Sequence, residues 1–172
     1  YNIAQVGGDL YLVNSDIVSI GNTFYKSYSS DIAGSIYMEK GAKYTSNVDI
    51  FNSTSSETRG GAVVVYDLST QFISYNTLFY NSKSTTGGCF YSNKGDISLY
   101  NSIFRYNQAS SGGALYSEAS NIYMEKVNLT KNSAILSGGV IYASINSMVT
   151  TIDSFFYQNR VERDGGIGYI SL

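Results

Sequence analysis

A chain of 172 residues with 13 acidic and 11 basic side chains carries a net charge of −2, which offers no basic stripe to a nucleic-acid backbone. It contains no histidine, which excludes the imidazole base of a Ser-His-Asp triad and the imidazole metal ligand. Cys89 is the one cysteine, so no internal disulfide can close, and no run of about 18 apolar residues is present to span a membrane as a helix.

The first element, Gly7-Gly8-Asp9-Leu10-Tyr11, is rewritten along the whole chain. Its copies are Ala33-Gly34-Ser35-Ile36-Tyr37, Gly60-Gly61-Ala62-Val63-Val64, Gly87-Gly88-Cys89-Phe90-Tyr91, Gly112-Gly113-Ala114-Leu115-Tyr116, Gly138-Gly139-Val140-Ile141-Tyr142 and Gly165-Gly166-Ile167-Gly168-Tyr169. The second residue of each pair falls at 8, 34, 61, 88, 113, 139 and 166, steps of 25 to 27 residues. A fixed period of this size marks a solenoid.

Each period holds three short strand-like runs. The first follows the glycine pair. The second alternates, as in Asp96-Ile97-Ser98-Leu99-Tyr100 and one period later Asn121-Ile122-Tyr123-Met124-Glu125. The third sets an apolar residue three places before a small polar one: Phe24 and Ser27, Phe51 and Thr54, Leu78 and Asn81, Phe104 and Asn107, Leu129 and Asn132, Phe156 and Asn159. Helical periodicity is missing, so the chain reads as all-β. The period is too short for a propeller blade. The expected fold is a single-stranded, right-handed parallel β-helix of about six to seven coils, three strands each. Residues 1–172 form one domain, expected to be a fragment of a longer solenoid, because the chain opens inside a repeat and stops in a strand at Ile170-Ser171-Leu172.

Stacked coils turn sequence columns into ladders. Leu10, Ile36, Val63, Phe90, Leu115 and Ile141 should face the core together with Phe24, Phe51, Leu78, Phe104, Leu129 and Phe156. Cys89 shares its column with Ala62, Ala114 and Val140 and reads as a small apolar filler. Strand alternation places Tyr11, Tyr37, Tyr91, Tyr116, Tyr142 and Tyr169 on the opposite, outward face. Asn81, Asn107, Asn132 and Asn159 should form a corner ladder whose amides bond between coils.

The pairing of Gly112-Gly113-Ala114-Leu115 with Phe104-Arg105-Tyr106-Asn107 resembles the repeats of the chlamydial polymorphic outer-membrane proteins. Gly60-Gly61-Ala62-Val63 and Phe156-Tyr157-Gln158-Asn159 fit the same pattern, while Ser27, Thr54 and the single glycine of Gly34-Ser35 depart from it. The resemblance implies an extracellular or cell-surface passenger, adhesin or scaffold, and it brings no catalytic signature.

Carbohydrate lyases and hydrolases also use parallel β-helices and need clustered acids. The acids here are scattered over different columns, and the nearest pair, Glu125 and Asp153, is one residue out of register. Arg105, Arg160 and Arg163 would suit a uronate. Arg160 and Arg163, however, share one turn with Glu162 and Asp164, which reads as a solvated mixed-charge corner. No catalytic residue, cofactor or metal is expected. Two sequons, Asn52-Ser53-Thr54 and Asn128-Leu129-Thr130, sit beside core positions, so Asn52 and Asn128 should point outward as acceptors of N-linked glycans. The expected function is a glycosylated, extracellular structural or adhesive module whose tyrosines contact protein or carbohydrate surfaces. The alternatives are a filament subunit that self-associates end to end through open strand edges, and a carbohydrate-active enzyme.

Overall fold

Strands of two to five residues, cut by residues with positive φ, account for every regular element among the described residues. The computed structural model describes residues 2–171; Tyr1 and Leu172, the ends of the expected domain and of its last strand, lie outside them. Strands this short cannot stand alone, and each is held by parallel pairing with its counterparts on neighbouring coils. The result is an all-β parallel solenoid.

The glycine strands, from Leu10–Val13 to Gly168–Ser171, form a seven-stranded sheet. Its register is Leu10↔Ile36↔Val63↔Phe90↔Leu115↔Ile141↔Gly168. The alternating strands and the aromatic strands form two six-stranded sheets. The expectation of three strands per coil needs correction, because a fourth column follows the small polar residue. It comprises Ile3–Val6, Tyr28–Ile32, Ser55–Ser56, Gln108–Ser111, Ser133–Ser137 and Arg160–Val161, with Lys83 and Thr86 bridging the middle. These segments are rich in serine and alanine and bulged in places. No apolar alternation announced them, and coil-to-coil hydrogen bonds define them instead.

The glycine pairs line up in a single file. Gly88 N–H donates to Gly112 O at 3.0 Å, and Gly113 N–H donates to Gly138 O at 3.0 Å. The two glycines of a pair serve different needs. Gly112 sits at φ +65°, the left-handed region that glycine enters without strain, whereas a Cβ on Gly113 would lie 2.2 Å from the carbonyl oxygen of Gly139. The coils approach so closely here that only a hydrogen atom fits between them.

Inside, one continuous core runs the length of the stack, and Cys89 lies in it fully buried. Burial pushes the Cys89 thiol well above its usual pKa, in keeping with a filler. Phenylalanines stack from coil to coil, with ring centroids 4.5 Å apart for Phe24–Phe51, 5.0 Å for Phe51–Phe79 and 4.5 Å for Phe79–Phe104. Here the register differs from expectation by one residue. Phe79, not Leu78, occupies the core column, and Leu78 pairs with Ile50 on the outer side. The cause is the corner at 67–70 between Val63–Tyr66 and Gln71–Tyr75, one residue longer than the preceding corner at 40–42.

Substitution of Gly113 by alanine should therefore cost more than about 2 kcal/mol, because backbone must move to admit the methyl group. At Gly41, where φ is +80° but an added Cβ meets nothing within 4 Å, the same change should cost only about 1 kcal/mol. Urea denaturation of the two variants measures both. Equal losses would mean that close coil approach is not what the glycine file provides.

Candidate functional site

The tyrosine column lies apart from the core, and Tyr37, Tyr91 and Tyr116 form a separate packed cluster with Ile32, Ala33 and Val64. It is much less open than alternation implied. Tyr11 is 52% exposed, whereas Tyr37 and Tyr91 are only 7% and 3% exposed, and Tyr116, Tyr142 and Tyr169 are half-buried. Ile32 and Ala33, carried over from the fourth column, pack against the ladder. Val64 breaks the aromatic run between Tyr37 and Tyr91. Beyond it the rings stack face to face, with centroids 5.5 Å apart for Tyr91–Tyr116, 4.5 Å for Tyr116–Tyr142 and 5.1 Å for Tyr142–Tyr169. A partner therefore meets ring edges and hydroxyls, because the flat faces are already taken by neighbours.

Two carboxylates anchor the hydroxyls. Glu39 accepts from Tyr11 at 3.1 Å and from Tyr37 at 3.2 Å, and Glu118 accepts from Tyr91 at 2.9 Å and from the Asn93 amide at 2.8 Å. Burial, reinforced by Glu118, pushes the Tyr91 phenol up to about 12, and the Arg59 guanidinium lies 5.1 Å from its ring centroid. Tyr37 and Tyr116 are raised for the same reason, burial first and then the neighbouring glutamates.

The asparagine ladder is present at Asn107, Asn132 and Asn159 but not at Asn81. The latter is exposed at φ +56°, and Ser82 holds its place in the column, for the same one-residue lengthening that moves Phe79. Each ladder amide clasps the preceding coil. Asn132 Oδ1 accepts from Asn107 N–H at 3.0 Å, and Asn132 Nδ2 donates to Phe104 O at 3.1 Å. Asn132 Nδ2 also donates to Asn159 Oδ1 at 3.1 Å. Asn107 and Asn132 are fully buried, so this ladder holds the corner closed and presents nothing to a ligand.

Both sequon asparagines point away from the core, but each is half-buried instead of exposed. Asn52 aligns with Tyr25 and Tyr80, and Ser53 Oγ donates to its Oδ1 at 2.9 Å. Thr54 is fully buried, its hydroxyl 2.8 Å from Ser82 Oγ. Asn128 lies between Ile103 and Phe155 with its Oδ1 enclosed. Glu125 aligns with Ile152, and Asp153 stands in the following corner. Among the described residues no group of three or more His, Cys, Asp or Glu side chains is placed to hold a metal ion.

A groove of about 550 Å³ runs along the outer side of the fourth column, lined among others by Tyr28, Lys83, Gln108, Ser133, Arg160 and Glu162. The sequence signal for it is the polar residue directly after each corner asparagine or its substitute, and it goes unread until the fourth strand is recognised. On the adjoining corner, Tyr106 Oη accepts from Arg105 Nη2 at 3.3 Å and from Lys131 Nζ at 3.4 Å. The two cations stand 4.9 and 5.5 Å from its ring centroid. The Lys131 contact, followed by Arg105, holds the Tyr106 phenol below its ordinary pKa.

Residues 101–118, from the corner before Phe104 to the end of the next glycine strand, match the Chlamydia polymorphic membrane protein repeat. The segment contains both Phe104 with Asn107 and Gly112-Gly113-Ala114-Leu115, so the coils resemble those repeats, and one repeat is matched. No curated protein and no solved structure gave a significant match.

The raised phenols carry a linkage consequence. A group whose pKa is higher folded than unfolded stabilises the fold fully below its unfolded value, near 10 for tyrosine, and that contribution is lost as pH rises through the folded value. The chain should lose stability between pH 10 and about 12 as Tyr91 ionises. Tyrosinate absorbance and circular dichroism followed together should show late-titrating phenols ionising with unfolding. Ionisation of all tyrosines near pH 10 in a folded protein would contradict the buried ladder.

Proposed function

We propose that this chain is a surface-displayed, non-catalytic structural and adhesive module. The observation that carries the reading is the polymorphic membrane protein repeat at residues 101–118, set in coils of the same pattern. Supporting it, the buried amide and phenylalanine ladders make a stiff stack whose outer columns are rich in hydroxyls, amides and phenols, groups suited to many weak contacts. Antibodies against the folded chain should label intact cells of the source organism, and labelling only after permeabilisation would remove the surface reading. Beads coated with the chain should stay on cell monolayers above albumin-coated beads. Equal retention would remove adhesion and leave a scaffold.

N-linked glycans on Asn52 and Asn128 belong to the same proposal. Thr54 is enclosed in the folded coil, so attachment at Asn52 has to precede folding. Glycopeptide mapping of the chain secreted through a eukaryotic pathway should find both asparagines modified, and finding both bare would withdraw the glycoprotein part.

A further inference from the structure

The groove along the fourth column is lined by none of the ladder tyrosines. Its lining follows the fourth column from Tyr28 to Arg160, six coils, and so extends about 24 Å at the ordinary spacing between paired strands. Ile135 is the one large aliphatic side chain among its described lining residues, and the remainder is mostly hydroxyl, amide and charge. No anchoring pocket for an apolar peptide side chain is offered. The backbone beneath is already occupied, because coil-to-coil bonds such as Gln108 N–H to Ser82 O at 2.9 Å and Ser133 N–H to Asn107 O at 2.9 Å use it. An added peptide strand would find no free ladder on this face.

Charge along the groove is uneven. Glu57 is engaged by the Tyr28 hydroxyl at 2.8 Å, and Glu162 stands in the same coil as Arg160. Lys83, Arg105 and Lys131 make no ion pair among the described residues. The last two stand on the adjoining corner, outside the groove's own lining. Both crowd the phenol of Tyr106, which lies two residues before Gln108, and Lys131 lies two residues before Ser133, although the chain as a whole has a net charge of −2. Two like charges held on one hydroxyl repel, and an anion placed between them relieves that repulsion.

We propose that this groove binds an acidic polysaccharide laid along the solenoid axis. Its sugar hydroxyls would meet Gln108, Ser133 and Tyr28, and its carboxylate or sulfate groups would meet Arg105, Lys131 and Lys83. Many shallow polar positions repeating at the coil spacing suit a polymer better than a compact ligand. The proposal rests on the adhesive reading and specifies what the module adheres to.

Affinity electrophoresis of the folded chain through gels containing heparin, polygalacturonate, neutral dextran or polyglutamate tests it. Retardation is expected in heparin or polygalacturonate and not in dextran, and the stronger of the first two identifies sulfate or carboxylate as the anion. The double variant R105S/K131S and the groove-filling Gln108→Trp should each weaken retardation about tenfold, the loss of one or two charge-assisted contacts. K40S/K126S, which changes net charge equally at the Glu39 and Glu125 pairs, should stay within about twofold because those lysines pair elsewhere. All these positions are on the surface, and circular dichroism verifies that each variant folds. Equal weakening by the two double variants, equal retardation in polyglutamate or dextran, or none in any gel would overturn the proposal. Coated beads that adhere to cells while the chain ignores all four polymers would retire the groove and leave adhesion standing.

Discussion

The close parallel approach of one coil to the next is the constraint on which the rest depends. Backbone amides and carbonyls pair along the axis on every face, and the second glycine of each pair permits this at the tightest corner. A Cβ there would collide with the carbonyl of the following coil at 2.1 to 2.3 Å in the successive members from Gly8 to Gly139. Once that spacing is set, like residues fall on like. Phenylalanine stacks on phenylalanine, tyrosine on tyrosine and asparagine on asparagine without further specification. The ladders follow from the backbone repeat.

The polar interior follows the same logic. Buried amides are costly unless paired, about 1–3 kcal/mol for each group left without a partner. Asn107 and Asn132 meet the requirement by bonding backbone and side chain of adjacent coils at once. Where the column holds Thr54 and Ser82 instead, hydroxyls 2.8 Å apart do a smaller version of the same work. An asparagine here is worth more in a stack than alone, because each Oδ1 serves the coil beneath it. This explains why the recurrent polar residue of the sequence is structural and the useful exposed groups lie elsewhere.

Much of the architecture was legible because glycine and phenylalanine each mark one column every 25 to 28 residues. Legibility ended where two neighbours offered the same signal. Leu78 and Phe79 are both apolar, Asn81 and Ser82 are both small and polar, and only the longer corner at 67–70 decides between them. Alternation separates Tyr37 and Tyr91 from the core column, but it cannot show that Ile32 and Ala33 pack with them and leave them buried. The groove leaves no hydrophobic mark in the sequence for a related reason. Serine- and alanine-rich strands such as Gln108–Ser111 carry no periodic hydrophobic mark, and their existence depends on neighbours that the sequence does not place beside them.

Stacking also shapes how such a module bears load. Each coil is fastened only to the coils on either side, so a pull on the chain peels one coil away from its neighbour as a zipper opens and leaves the others seated. One detached coil of about 26 residues releases roughly 90 Å of slack. A stack built this way would yield in instalments under tension, lengthening many times over before its last turn gives.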